Sequence, residues 1–162
     1  MNFFTANRLC YERVSIVRRI LVISDIHYAS EGEKARFGHE ARVIGNPALR
    51  LGSQLFRHWI WLREPHGHNH RLQKLIEANP DPDWVVANGD FSLDSGFIGV
   101  SDAGAYESAR LALEQLQTAY GSRLRTTLGD HELGKQSLFG GAGGVRLQSW
   151  YRAVEGLGIP GF

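Results

Sequence analysis

The sequence predicts an α/β domain, a partly parallel sheet flanked by helices. Three observations predict it. Strand-like runs open the stretches 20–28, 84–90 and 123–132, segments of helical spacing separate them, and each run ends on an acid. Of the 162 residues, 43% are hydrophobic and 22% charged, enough apolar material for one domain with a core.

The first run, "ILVISDIHY", follows Arg18-Arg19. Its continuous apolar start is the pattern of a strand buried on both faces, as under the helices of a parallel sheet. Residues 29–46 are polar and contain glycine, so they are expected to form a loop. A helix is expected over 48–63, with Leu51, Leu55, Phe56, Trp59 and Leu62 at near-helical spacing, and Trp59–Trp61 is read as helix core. Pro65 and Gly67 break it. A second helix over 69–78 carries Leu72, Leu75 and Ile76 on one side. "WVVANGD" (84–90) repeats the strand-then-acid theme. Asp102 suits the N-cap of a helix over 103–119 that turns Tyr106, Ala109, Leu113 and Leu116 inward. "RLRTTLGDHE" (123–132) is the third such unit, and a Gly-rich loop (140–144) precedes a last helix near 145–156.

Charge and cysteine narrow the setting. A net charge of +1 gives no bulk attraction to nucleic acid or to an anionic membrane. The single cysteine, Cys10, cannot close an internal disulfide, which fits a reducing, cytoplasmic setting. No apolar run reaches the ~20 residues of a membrane span. Residues 1–19 lack the apolar stretch of a secretory signal and read as a loosely ordered leader to a domain over 20–162.

In open α/β sheets, ligand sites lie beyond the carboxyl ends of the strands. Here those ends carry Asp25 with His27, then Asp90, then Asp130 with His131 and Glu132. Converging carboxylates raise one another's pKa, and a divalent cation relieves them. Mixed Asp and His donors suit Zn, Fe or Mn better than Ca. Two such ions ~3.5–4 Å apart would activate a water and clamp a phosphoryl group.

"SDIHY", "ANGD" and "LGDHE", in this order on three strand ends, resemble the first three signature blocks of the calcineurin-like metallophosphoesterase family: D-x-H, G-D and G-N-H-[DE]. The resemblance implies a dinuclear-metal phosphoesterase, in which metal-bound hydroxide attacks a phosphomonoester or phosphodiester. It implies two divalent ions, Mn, Fe or Zn. It places Asp25 and His27 on the first metal, Asp90 between both and Asp130 on the second. It makes His131 the general acid, with Asp94 its nearest candidate partner, and has Glu132 support the turn.

The sequence departs from that pattern in two ways. Asp130 stands where the family has asparagine, which adds a negative charge. The family's later histidine and G-H-x-H blocks have no counterpart after the third unit, so 20–162 reads as the N-terminal half of the family's αββα sandwich, incomplete at its C-terminus. An inner sheet face left uncovered would favour self-association. The alternative function is therefore a non-catalytic metal-binding or interaction fragment, and a metal-free hydrolase built on an Asp–His pair is a third reading. "PHGHNH" (65–70) has the letters of the missing block in the wrong place, and His66, His68 and His70 read as a polar inter-helix turn. "FGGAGG" (139–144) lacks the Lys-Ser/Thr of a P-loop and reads as a loop beside the site. Arg123 and Arg125 fit an edge or solvent face better than a substrate contact. The expected partner is a phosphorylated small molecule or a phosphodiester, with no nucleic-acid or membrane signal.

Overall fold

The computed structural model describes residues 18–35, 44–56, 59–60, 67–93, 98–134 and 147–161. The expected leader, apart from its last two residues, lies outside them, as do Asp94, His66 and the 139–144 loop. In chain order the elements are β1 (Ile20–Ile23), α1 (Glu31–Lys34), α2 (Pro47–Phe56), α3 (His70–Ala78), β2 (Trp84–Ala87), α4 (Ala103–Tyr120), β3 (Leu124–Thr126), α5 (Asp130–Leu133) and α6 (Leu147–Tyr151). A wide helical turn, Arg152–Gly156, continues α6.

The architecture is α/β. The described strands form one parallel sheet in the order β1-β2-β3, with Ile20 opposite Trp84 and Val85 opposite Leu124. Parallel neighbours need crossovers, and here α2 and α3 lie between β1 and β2 while α4 lies between β2 and β3. Asp102 caps α4 as expected: its carboxylate accepts from the N–H groups of Gly104 and Ala105, both at 3.0 Å. The stripe α4 buries is Ala105, Ser108, Ala109, Ala112, Leu116 and Tyr120. Small residues at four of these positions let the helix lie close on the sheet. Tyr106 and Leu113, expected inward, flank the stripe half-buried.

The core is one cluster. Ile23, Val85 and Ala87 of the sheet meet Leu72 of α3, Ala109, Ala112 and Leu116 of α4, Ala153 of the helical turn after α6, and Phe91, Val100 and Ile159 from the loops. It covers only one sheet face. On the other, Ile20 and Val22 are 59% and 60% exposed, Trp84 is exposed, and the Arg125 guanidinium lies 4.5 Å over the Trp84 ring. The expectation that β1 is buried on both faces is therefore corrected: side chains alternate across a strand, and the described helices pack on one side. Arg123 closes the base of the sheet, bonding Asp81 at 2.6 Å and the Pro82 carbonyl at 2.8 Å.

A second correction concerns α2. Its described residues end at Phe56, and it buries no residue. Leu51, Leu55 and Phe56, expected inward, are exposed, and Trp59 is 70% exposed. Leu62 lies outside the described residues.

Candidate metal centre

The strand tips are stitched into one rim. Beyond β1 and β2 the parallel pairing continues into the loops. The His27 N–H donates to the Asp90 carbonyl at 2.9 Å, that of Tyr28 to Phe91 at 2.8 Å, and that of Leu93 back to Tyr28 at 3.0 Å. This fixes the first tip against the second.

Glu132 fixes the third tip against the second. It is fully buried on α5, and its carboxylate accepts three backbone N–H groups: Asp90 at 2.8 Å and Gly129 at 2.9 Å on Oε2, Phe91 at 2.8 Å on Oε1. Burial pushes its carboxyl up from the ordinary value, and the three N–H donors pull it part of the way back. The two loops touch where they cross. A Cβ on Gly89, whose φ is +73°, would fall on the Gly129 backbone, and one on Gly129 would fall on the Asp90 carboxylate.

Within that rim, one donor atom from each of His27, Asp90 and His131 lies within 4.8 Å of the others. The His27 and His131 rings meet edge to face with centroids 4.6 Å apart. His27 Nδ1 lies 3.4 Å from the Ser92 carbonyl. A histidine held that way on one nitrogen presents the other as a ligand. The His131 N–H donates to Asp90 Oδ1 at 3.1 Å. The Asp25 carboxylate stands at the mouth, 3.7 Å from His27 Nε2, and accepts a hydrogen bond from the Ser24 hydroxyl. The Asp130 carboxyl faces Asp90. The Asp90 carboxyl is pushed up, chiefly by burial and further by the charge of Asp130, while the His131 N–H and His27 act against the rise.

Three of these residues hold left-handed backbone: Asp25 (φ 54°), His27 (φ 47°) and Asp90 (φ 54°) are the non-glycine positions with positive φ among the described residues. Such conformations cost about 1–2 kcal/mol each away from glycine and gather at functional sites. The donor set fits a divalent cation. Two imidazoles and a carboxylate converge, and a second carboxylate sits against the first with a charge that a cation would offset.

The residues read from sequence thus separate by position. His27, Asp90 and His131 converge, Asp25 and Asp130 lie at their flanks, and Asp94 lies outside the described residues. His68 and His70 are not part of the converging group, and His70 Nδ1 lies 2.8 Å from the Gly67 carbonyl at the start of α3. The useful residue of that stretch is Asn69, which pairs with both backbone groups of Ala29, accepting at 2.9 Å and donating at 2.7 Å, two residues past His27. Nothing in the sequence marks it, since the pairing spans forty residues.

A family model described as calcineurin-like phosphoesterase matches residues 18–161. The chain belongs to the calcineurin-like phosphoesterase family. Neither the curated proteins nor the solved structures yield a match to it. The family is metal-dependent, and the His27–Asp90–His131 group is where this member could hold a metal. No described helix is long and apolar enough to cross a membrane.

Proposed function

We propose that this chain carries the centre of a metal-dependent phosphohydrolase that cleaves a phosphomonoester or a phosphodiester with two divalent ions, Mn, Fe or Zn. The observation that carries the reading is the convergence of His27, Asp90 and His131 from three different strand ends, in a family whose members are phosphoesterases. In this reading Asp25 and His27 hold one ion, Asp90 is shared, and Asp130 holds the other. Bound there, the ions supply Lewis acidity toward the phosphoryl oxygens and a nucleophile usable at neutral pH.

The chain's own residues do the rest. The Ser92 carbonyl orients the His27 ring, and Glu132 sets the distance between the second and third tips. Although its ring lies among the converging donors and meets that of His27, His131 stays off the ions in this reading and holds the proton taken by the leaving oxygen, with Asp94 its proposed partner. The cysteine and serines play no nucleophilic part, because none stands on a nucleophile elbow.

Calorimetric titration of Mn²⁺, paired with hydrolysis of p-nitrophenyl phosphate and bis-p-nitrophenyl phosphate, tests this. Saturable binding and turnover are expected, with both lost in Asp90→Asn. Turnover that survives EDTA and Asp90→Asn alike overturns it.

The exposed face at Ile20 and Val22 supports a second reading, in which the chain binds metal without turnover and serves as an interaction module. It predicts Mn²⁺ binding with no hydrolysis of either substrate.

A further inference from the structure

The pairing that joins the first two strand tips stops at Tyr28. The N–H groups of His27 and Tyr28 donate to Asp90 and Phe91, and that of Leu93 donates back to the Tyr28 carbonyl. Ala29 comes next. It is fully buried, so water does not serve its peptide groups. Asn69 serves both: its Oδ1 accepts from the Ala29 N–H at 2.9 Å, and its Nδ2 donates to the Ala29 carbonyl at 2.7 Å. A carboxamide carries the planar donor and acceptor pair of a peptide, so Asn69 adds one rung to the ladder from the side. Asn69 gives up a local bond to do this. It stands at the N-cap of α3, where asparagine ordinarily bonds the first turn of its own helix, as Asp102 does on α4. Here the N-cap side chain makes no such bond. Beyond Ala29 the chain is held separately, with the Ser30 N–H donating to the Ser108 hydroxyl of α4 at 2.8 Å.

We propose that Asn69 is a positioning residue for the donor His27. The His27 backbone is left-handed, at φ 47°, a conformation that a residue other than glycine leaves unless its neighbours hold it. Its backbone is held by the bond to Asp90, and its ring by the Ser92 carbonyl 3.4 Å from Nδ1. Ser92 in turn pairs with Tyr28, the residue between His27 and Ala29. Both holds therefore belong to the short ladder whose open end Asn69 closes. Without the carboxamide, the buried peptide groups of Ala29 turn to find water, because an unmade buried bond costs more than a small shift of the chain. The Tyr28–Ser92 rung then frays, and the His27 ring leaves its place beside Asp90 and His131. The consequence for metal affinity rests on the proposed metal reading, whereas the hold on His27 does not.

Calorimetric titration of Mn²⁺ into the full chain compares wild type with Asn69→Ala, Asn69→Asp and Ile159→Val, each shown to be folded by circular dichroism. Asn69 is half-buried, so its truncation does not open the core. Asn69→Ala should weaken Mn²⁺ binding by about tenfold, the scale of losing a group that orients a ligand. Asn69→Asp keeps the acceptor but sets a carboxylate oxygen against the Ala29 carbonyl, and it should weaken binding too, although an added negative charge by itself would tighten it. Ile159→Val takes one methyl from a buried core residue and lowers stability without touching the ladder, so its affinity should match wild type. Affinity is a property of the folded molecule, and a purely structural role for Asn69 would not move it. Hydrogen exchange of the metal-free protein, read by NMR, is the second arm. The amides of His27 and Tyr28 should exchange about tenfold faster in Asn69→Ala than in Ile159→Val. Unchanged Mn²⁺ affinity in Asn69→Ala overturns the proposal, as does an equal loss in Ile159→Val. If the wild type binds no Mn²⁺, the metal reading fails and exchange alone decides the hold on His27, with equal rates in the two variants overturning it.

Discussion

Replacing Glu132 by Gln removes very little volume and one acceptor. Oε2 takes the N–H groups of Asp90 and Gly129, and Oε1 takes that of Phe91. The amide keeps most by placing its oxygen on the two-donor side, which turns its NH2 group toward the Phe91 N–H. That buried donor is left facing another donor, at a cost of about 1–3 kcal/mol. The two surviving bonds lose their charge assistance, roughly another 1 kcal/mol each. Against this, the amide spares the fold a buried ion, and burial is the main force pushing the Glu132 carboxyl up. The net expectation is a loss of about 2–4 kcal/mol, a large share of the ~5–15 kcal/mol that holds a domain together.

Urea unfolding followed by tryptophan fluorescence measures it, with the slope checked so that the midpoint shift reports stability alone. The pH dependence gives a second reading. A carboxyl raised in the folded state contributes stability below its unfolded value and loses it as pH rises through the raised one. That fall is expected in the wild type and should be smaller in Glu132→Gln, which keeps only the share that comes from the likewise raised Asp90 carboxyl. A variant within about 0.5 kcal/mol of wild type, with the same pH profile, would refute the idea that this carboxylate ties the two loops.

Three further outcomes follow from the same geometry. Asp130→Asn removes the charge that helps push the Asp90 carboxyl up, so the pH below which Mn²⁺ binding fails should move down, while affinity at neutral pH drops; calorimetry across a pH series reads both, and an unmoved acid edge counts against the pairing. Gly129→Ala drives a Cβ into the Asp90 carboxylate and should cost about 1–3 kcal/mol together with Mn²⁺ affinity, whereas Gly52→Ala, which meets nothing on an exposed helix, should not lower stability. Asn69→Ala leaves both backbone groups of Ala29 without their partner, and should lower the denaturation midpoint by an amount equivalent to about 1–2 kcal/mol.

The parts of the fold that were legible in the sequence are those that local chemistry decides. A strand-like run closed by an acid marks each strand end because strand propensity and a polar tip are both properties of neighbouring residues. Asp102 marks the start of α4 because a cap bonds only two and three residues ahead. The α2 arc was equally legible as an arc. Its direction was not, because periodicity shows which residues share a face and says nothing of what the face meets. The same limit applies to β1, where "ILVI" cannot reveal that Ile20 and Val22 look away from the helices. Asn69 and the full reach of Glu132 escaped for a related reason: their bonds join segments about forty residues apart. The third block suggested a supporting role for Glu132, and the geometry supplies what it supports.

The left-handed backbone at Asp25, His27 and Asp90 connects these threads. Three such residues store several kcal/mol in all, at about 1–2 kcal/mol each. Something must hold them there without a ligand, and the contacts that can do so are long-range: the His27–Asp90 and Tyr28–Phe91 backbone bonds and the three N–H groups on Glu132. The strain and its restraint therefore sit in the same few residues as the metal donors. An ion that bridges those donors adds to the restraint, so metal binding and global stability should rise together, by RT ln(1 + [Mn²⁺]/Kd). Loosening the Glu132 tie should weaken both in one step. A metal site assembled on unstrained loops would instead lose affinity to Glu132→Gln with its folding stability unchanged.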